Sequence, residues 1–174
     1  MSNKKTGRIY FSLVLLAGCA AAPVETVSDP VIAGTRYRGA PIELGAIKMQ
    51  LALREGAVAE NVRLTLGVLA SGDTARVVLS RAQLRYGGKA AELATRHATP
   101  GTAMGCADEA GALLEPDYWF NATVTTKSWS CVTLAFLLPG RKAGDALELR
   151  VEPLNVEGEL VHMLPVTFMP RAPE

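Results

Sequence analysis

Only two histidines occur in the 174 residues, which leaves little room for imidazole chemistry. A Ser-His-Asp site would have to use His97 or His162, and neither stands with a Gly-x-Ser-x-Gly elbow or another nucleophile signature. Glycine-rich phosphate loops are missing too, because Gly87-Gly88 and Gly101 lack the strand-loop-helix setting that a phosphate cradle needs. Asp108 and Glu109 are adjacent, so they splay to opposite sides of an extended chain instead of converging as an acid-base pair. Eighteen Lys and Arg against 17 Asp and Glu give no basic excess, and no Lys/Arg stripe is interleaved with aromatics, which excludes a nucleic-acid footprint. No apolar run approaches the roughly 20 residues that a helix needs to cross a bilayer. The sequence therefore predicts no enzyme activity and no cofactor.

What is present begins at the N-terminus. Lys4, Lys5 and Arg8 precede an apolar run over residues 9–17, the layout of a cleavable export signal. Leu16-Ala17-Gly18-Cys19 closes that run and resembles a bacterial lipoprotein signal. The resemblance implies cleavage between Gly18 and Cys19 and lipidation of Cys19. Ala20 stands where an aspartate would imply retention at the inner membrane, so the implied destination is the outer membrane, facing the periplasm. A single acyl chain binds a bilayer marginally and two or more hold it stably, so the implied partner of Cys19 is the lipid bilayer itself.

Loss of residues 1–18 removes three basic side chains and no acids, turning a net charge of +1 into −2. Residues 19–35 are rich in Ala, Pro and Val without period and read as a lipidated start and extended tether. Residues 36–170 suit one domain. With Cys19 acylated, Cys106 and Cys131 remain as a pair in a compartment that permits disulfides. A bridge is the simplest use of them, with free thiols or metal ligands as the alternatives.

Most of the domain alternates with period 2, the pattern of half-buried strands. Ile47, Met49, Leu51 and Leu53 form one apolar set, Val62, Leu64, Leu66 and Val68 a second, and Leu147, Leu149 and Val151 a third. Residues 77–86 read as one strand turning back at Gly87-Gly88, residues 118–126 as another, and residues 131–138 as a central strand apolar on both faces. A final hairpin pairs residues 147–154 with 160–168 around Glu157-Gly158. Together these predict an all-β, antiparallel, immunoglobulin-like β-sandwich with one long loop over residues 94–116, which carries a short helix within residues 107–114. The succession of residues 64–69, Ser71-Gly72-Asp73, Leu84-Arg85-Tyr86-Gly87-Gly88-Lys89, residues 132–136 and Leu147-Glu148-Leu149 resembles telokin-like immunoglobulin-type domains of exported bacterial proteins. That resemblance implies an accessory or binding module.

Two readings of function follow. In the first, a non-catalytic, lipid-anchored sandwich binds another envelope component, with Tyr118, Trp119 and Trp129 as candidate partner surface, because aromatics dominate both cores and interface hot spots. Trp119 and Phe120 face opposite ways if both lie in one strand, so one of them needs a cover. In the second, the long loop holds copper(I): His97 and Met104 supply nitrogen and soft sulfur donors, with His162 and Met163 adding to them. A histidine sharing a strand face with Leu160, Leu164 and Val166 is more often a core or edge residue than a ligand.

Overall fold

The computed structural model describes residues 26–56, 58–107, 111–114, 119–142 and 144–171. The expected signal peptide, Cys19 and the first part of the tether lie outside them. The described residues form fifteen strands and no helix, and every pairing is antiparallel. They are β1 (Thr26–Ile32), β2 (Thr35–Arg36), β3 (Ile42–Leu44), β4 (Ile47–Glu55), β5 (Asn61–Ala70), β6 (Thr74–Leu79), β7 (Ala82–Tyr86) and β8 (Lys89–Ala90), followed by β9 (Glu92–Thr99), β10 (Phe120–Thr125), β11 (Ser130–Leu137), β12 (Leu147–Val151), β13 (Leu154–Val156), β14 (Glu159–Val161) and β15 (Val166–Pro170). Eleven strands make a large sheet in the order β8-β7-β12-β15-β1-β4-β5-β11-β9, with β2 beside β1 and β3 beside β4. Four make a small one, β10-β6-β13-β14.

Alternation decides which side of each sheet is buried. Across β4, β5 and β11 the register sets Leu51 opposite Leu66 and Leu66 opposite Val132, then Leu53 opposite Leu64 and Leu64 opposite Leu134, all of them buried. Leu84, Leu149 and Val166 make the equivalent row across β7, β12 and β15. From the small sheet come Val77, Leu79, Phe120, Val124, Leu154 and Val156, which join one core with these rows. Each fully buried side chain of this kind contributes about 1.5–3 kcal/mol, so the shared interior is what holds the two sheets face to face. The architecture is the antiparallel, immunoglobulin-like sandwich that the period-2 pattern predicts.

Four expectations need correction. Residues 26–36 are not tether: they form β1 and β2, and β1 sits between β15 and β4 with Ser28 and Asp29 each 1% exposed. Residues 77–86 are not one strand, since the chain leaves the small sheet after Leu79 and enters the large one at Ala82. The final hairpin is split likewise: β12 and β15 pair in the large sheet while β13 and β14 pair in the small one. The irregular stretch begins at Pro100, because β9 carries regular pairing through Thr99 against Cys131. Of the segment expected to hold a helix, residues 111–114 run extended along β9 with Leu113 bridged to His97, and residues 108–110 lie outside the described residues.

Candidate functional site

The residues after β9 fold back as a tongue over the outer face of the large sheet. Ala107 donates to the Pro100 carbonyl at 2.8 Å, Gly101 and Cys106 form a bridge, and the Thr102 amide donates to the Gly105 carbonyl at 2.8 Å. The Thr102 hydroxyl accepts from the Met104 and Gly105 amides, both at 3.2 Å, closing the tip as a local side-chain turn. Two links fasten this tongue to the sheet: the Cys106–Cys131 disulfide, with Cα atoms 5.8 Å apart, and a 3.0 Å hydrogen bond from the Trp129 amide to the Thr102 carbonyl.

Two glycines make the close approach feasible. A Cβ on Gly67 of β5 would collide with Cys106 Sγ and lie 3.2 Å from the Trp129 ring, and one on Gly101 would collide with the Trp129 carbonyl oxygen. Beneath the tongue, Thr99 and Thr133 are buried and share a hydrogen bond of 2.7 Å, and Thr133 is 3.3 Å from Thr65. A row of three hydroxyls therefore crosses β9, β11 and β5 and satisfies polar atoms that the tongue removes from water. At the tip, Met104 is 92% exposed.

Beside the tongue lies a crevice of about 230 Å³. Its floor is the outward side of β4 and β5, presenting Gln50, Ala52, Arg54 and Thr65; Cys106 borders it on the tongue side, and Val27 and Arg171 border it elsewhere. Gln50 donates to the Gly39 carbonyl at 3.3 Å. Two guanidinium groups thus reach one recess, a combination suited to carboxylate or other planar anionic groups.

Arg171 is positioned by Asp29, whose carboxylate also binds Arg36, with ion-pair distances of 2.5 and 3.1 Å. Arg36 donates onward to the Pro170 carbonyl at 2.8 Å, so the cluster joins β1, β2 and β15. Burial pushes the Asp29 carboxyl up, but the hydrogen bonds and charges of Arg171 and then Arg36 outweigh it and hold the group below the usual carboxylate range. The sign follows from linkage: the stabilisation is complete above the unfolded value of about 3.9 and is lost as pH falls through the lower folded value. Urea midpoints measured between about pH 2 and 6 should therefore climb with pH up to about 4. In Asp29→Asn that climb should flatten, and an unchanged slope would show that other carboxylates carry it.

Of the candidate partner aromatics, Trp119 and Trp129 are each only 8% exposed, so neither is surface. Trp119 precedes β10 and escapes its alternation; its ring meets Phe136 in the core at a centroid distance of 5.3 Å, while Phe120 is buried as well. Trp129 is covered by the tongue. Tyr118 lies outside the described residues. Cys106 and Cys131 are joined to each other, as the cysteine count predicts.

The candidate copper donors are not drawn together by any single element. His97 stands on β9 of the large sheet, 3.2 Å from the Thr95 hydroxyl, whereas His162 and Met163 follow β14 of the small one. His162 is exposed with Leu160 and Leu164, while Met163 and Val161 turn toward the core. The two-residue turn sets this parity by placing Val161 opposite the buried Leu154, which overturns the expectation of His162 on a face shared with Val166. Among the described residues no group of three or more His, Cys, Asp or Glu side chains is placed to hold a metal ion. Sequence reasoning missed Gly67, Gly101, Asp29 and Arg171; the one signal for them was a glycine inside the apolar alternation of β5, which marks a close approach. Comparison with known proteins returns no matching family model, no matching curated protein and no matching solved structure.

Proposed function

We propose that this protein is a non-catalytic, lipid-anchored envelope protein whose sandwich is a binding module for another envelope component, docked at the tongue and crevice. The observation that carries the reading is Met104, 92% exposed at the end of a turn fastened by a disulfide and backbone hydrogen bonds. An apolar side chain held out on a rigid support has little entropy left to lose on docking, which is how a small contact gains affinity. Thioether side chains suit such surfaces because they adapt to irregular apolar pockets. Arg54 and Arg171 beside it supply charge that favours an acidic rim on the partner. The address rests on Leu16-Ala17-Gly18-Cys19, with the bilayer as the second partner through acylated Cys19.

The test is crosslinking in intact cells from a photoreactive residue at position 104. A reproducible adduct with one envelope protein, reduced at least tenfold by Arg54→Glu, is the expected result. The binding reading fails if no adduct exceeds that from a photoreactive residue at exposed position 58. In parallel, Cys19→Ser should move the protein out of the membrane fraction, and unchanged fractionation would overturn the anchor.

A further inference from the structure

The small sheet ends on β14, which pairs only with β13 among the described residues. The other outer strands are protected. β9 is covered along its edge by residues 111–114, through Ala98 to Ala112 and Leu114 to Arg96 hydrogen bonds of 2.8 Å. β8 is two residues long, and β10 turns polar Asn121 and Thr123 to water. β14 has none of these devices: residues 160–164 contain no charge, no proline and no glycine, and Leu160 and Leu164 are 65% and 59% exposed. Edges of this kind are templates for strand addition.

The direction of the backbone groups follows from the turn. Glu157 and Gly158, at φ 52° and 90°, join Val156 and Glu159 in a two-residue hairpin whose closing pair exchanges both hydrogen bonds. Hydrogen-bonding direction alternates along a strand, so Glu159 and Val161 address β13, and Leu160 and His162 address the open edge. Exposure keeps alternating through Met163 and Leu164, which carries the strand pattern two residues past the pairing.

The segment Leu160-Val161-His162-Met163-Leu164 is nearly its own reverse. In an antiparallel pair of two copies centred on His162, Leu160 faces Leu164, Val161 faces Met163, and His162 faces itself. Every residue with outward backbone groups then meets another such residue, and no charge in the segment opposes a like charge. Glu159 falls opposite Pro165, whose missing N–H costs nothing at a position that addresses β13.

We propose that β14 is a docking edge for a second copy of this chain, paired antiparallel about a two-fold axis through His162, joining two four-stranded sheets into one of eight. An isologous contact of this sort closes on itself and stops at the dimer. So short a strand pair buries less than about 1,200 Å², the low end of specific interfaces, so the dimer is weak and dependent on concentration.

Residues facing each other as a hydrogen-bonded pair have Cα atoms about 5.5 Å apart, within disulfide reach. The test uses the full chain in detergent with Cys19→Ser, and follows oxidative dimer formation by non-reducing gel and peptide mapping. His162→Cys should form a self-linked dimer at least tenfold faster than Leu113→Cys, a control at a 67% exposed site away from β14. Leu160→Cys mixed with Leu164→Cys should give the mixed dimer in preference to either self-linked one. Equal rates for His162→Cys and the control would overturn the proposal. So would capture of His162→Cys by a different protein in intact cells without any self-linked dimer.

Discussion

Replacing Arg141 with alanine is expected to lower the unfolding free energy by about 3–5 kcal/mol, the range for stripping one partner from a buried ion pair. The side chain is 1% exposed, and its guanidinium lies 2.7 Å from Glu55 at the end of β4. It also donates to the Ala59 carbonyl at 2.8 Å and the Asp145 carbonyl at 3.2 Å, so one group closes the β4–β5 turn and the loop after β11 together. Truncation leaves a carboxylate that is only 15% exposed and two carbonyls without their donor, each with a desolvation cost. Lysine should rescue little, since a single ammonium cannot span these acceptors as the planar fork does. Chemical denaturation at pH 7 measures the loss, and a value below about 1 kcal/mol would mean that water replaces the guanidinium. The pair Arg141→Met with Glu55→Leu should recover most of the loss, because an apolar replacement of both partners leaves no unpaired charge.

Arg141 also marks where reading the chain stops working. The alternations of β4, β5 and β12 were legible because one face of each strand meets the core and the other meets water. The crossings between sheets were legible in principle through a change of parity. Buried positions are odd at Ala75, Val77 and Leu79 and even at Leu84 and Tyr86; odd at Leu147 and Leu149 and even at Leu154 and Val156. A residue gained or lost from the alternation shifts the buried face, and Pro153 and Pro165 stand at two such shifts. Ser80-Arg81 carries no glycine or proline, which is why β6 and β7 read as one strand. Burial of Asp29 was not legible at all, because it depends on Arg171, 142 positions along the chain. The disulfide followed from counting cysteines, whereas the tongue it fastens did not: the tongue's path is set by Gly67 and Gly101, whose missing side chains carry no periodicity.

Removing that fastening is the other large effect. Cys106→Ala with Cys131→Ala opens a loop of 26 residues, and loop-closure entropy alone predicts a loss of about 3–4 kcal/mol. Gly67→Ala acts on the same contact from below: its Cβ would overlap Cys106 Sγ, and overpacking of this type costs about 1–3 kcal/mol. The two perturbations should therefore not add. Once both sulfur atoms are gone, the nearest remaining obstacle to that Cβ is the Trp129 ring at 3.2 Å, a contact that a shift of a few tenths of an ångström relieves. In the bridge-free chain Gly67→Ala should cost less than half of what it costs in the bridged one, a coupling that a double-mutant cycle reads directly. Trp129 reports the same event independently, since its 8% exposure depends on the tongue, and its fluorescence should shift to the red in the bridge-free chain while the fold persists. Additive stabilities with unchanged Trp129 emission would mean that the disulfide does not hold the tongue to the sheet, and Met104 would then lose the rigid support on which its docking role depends.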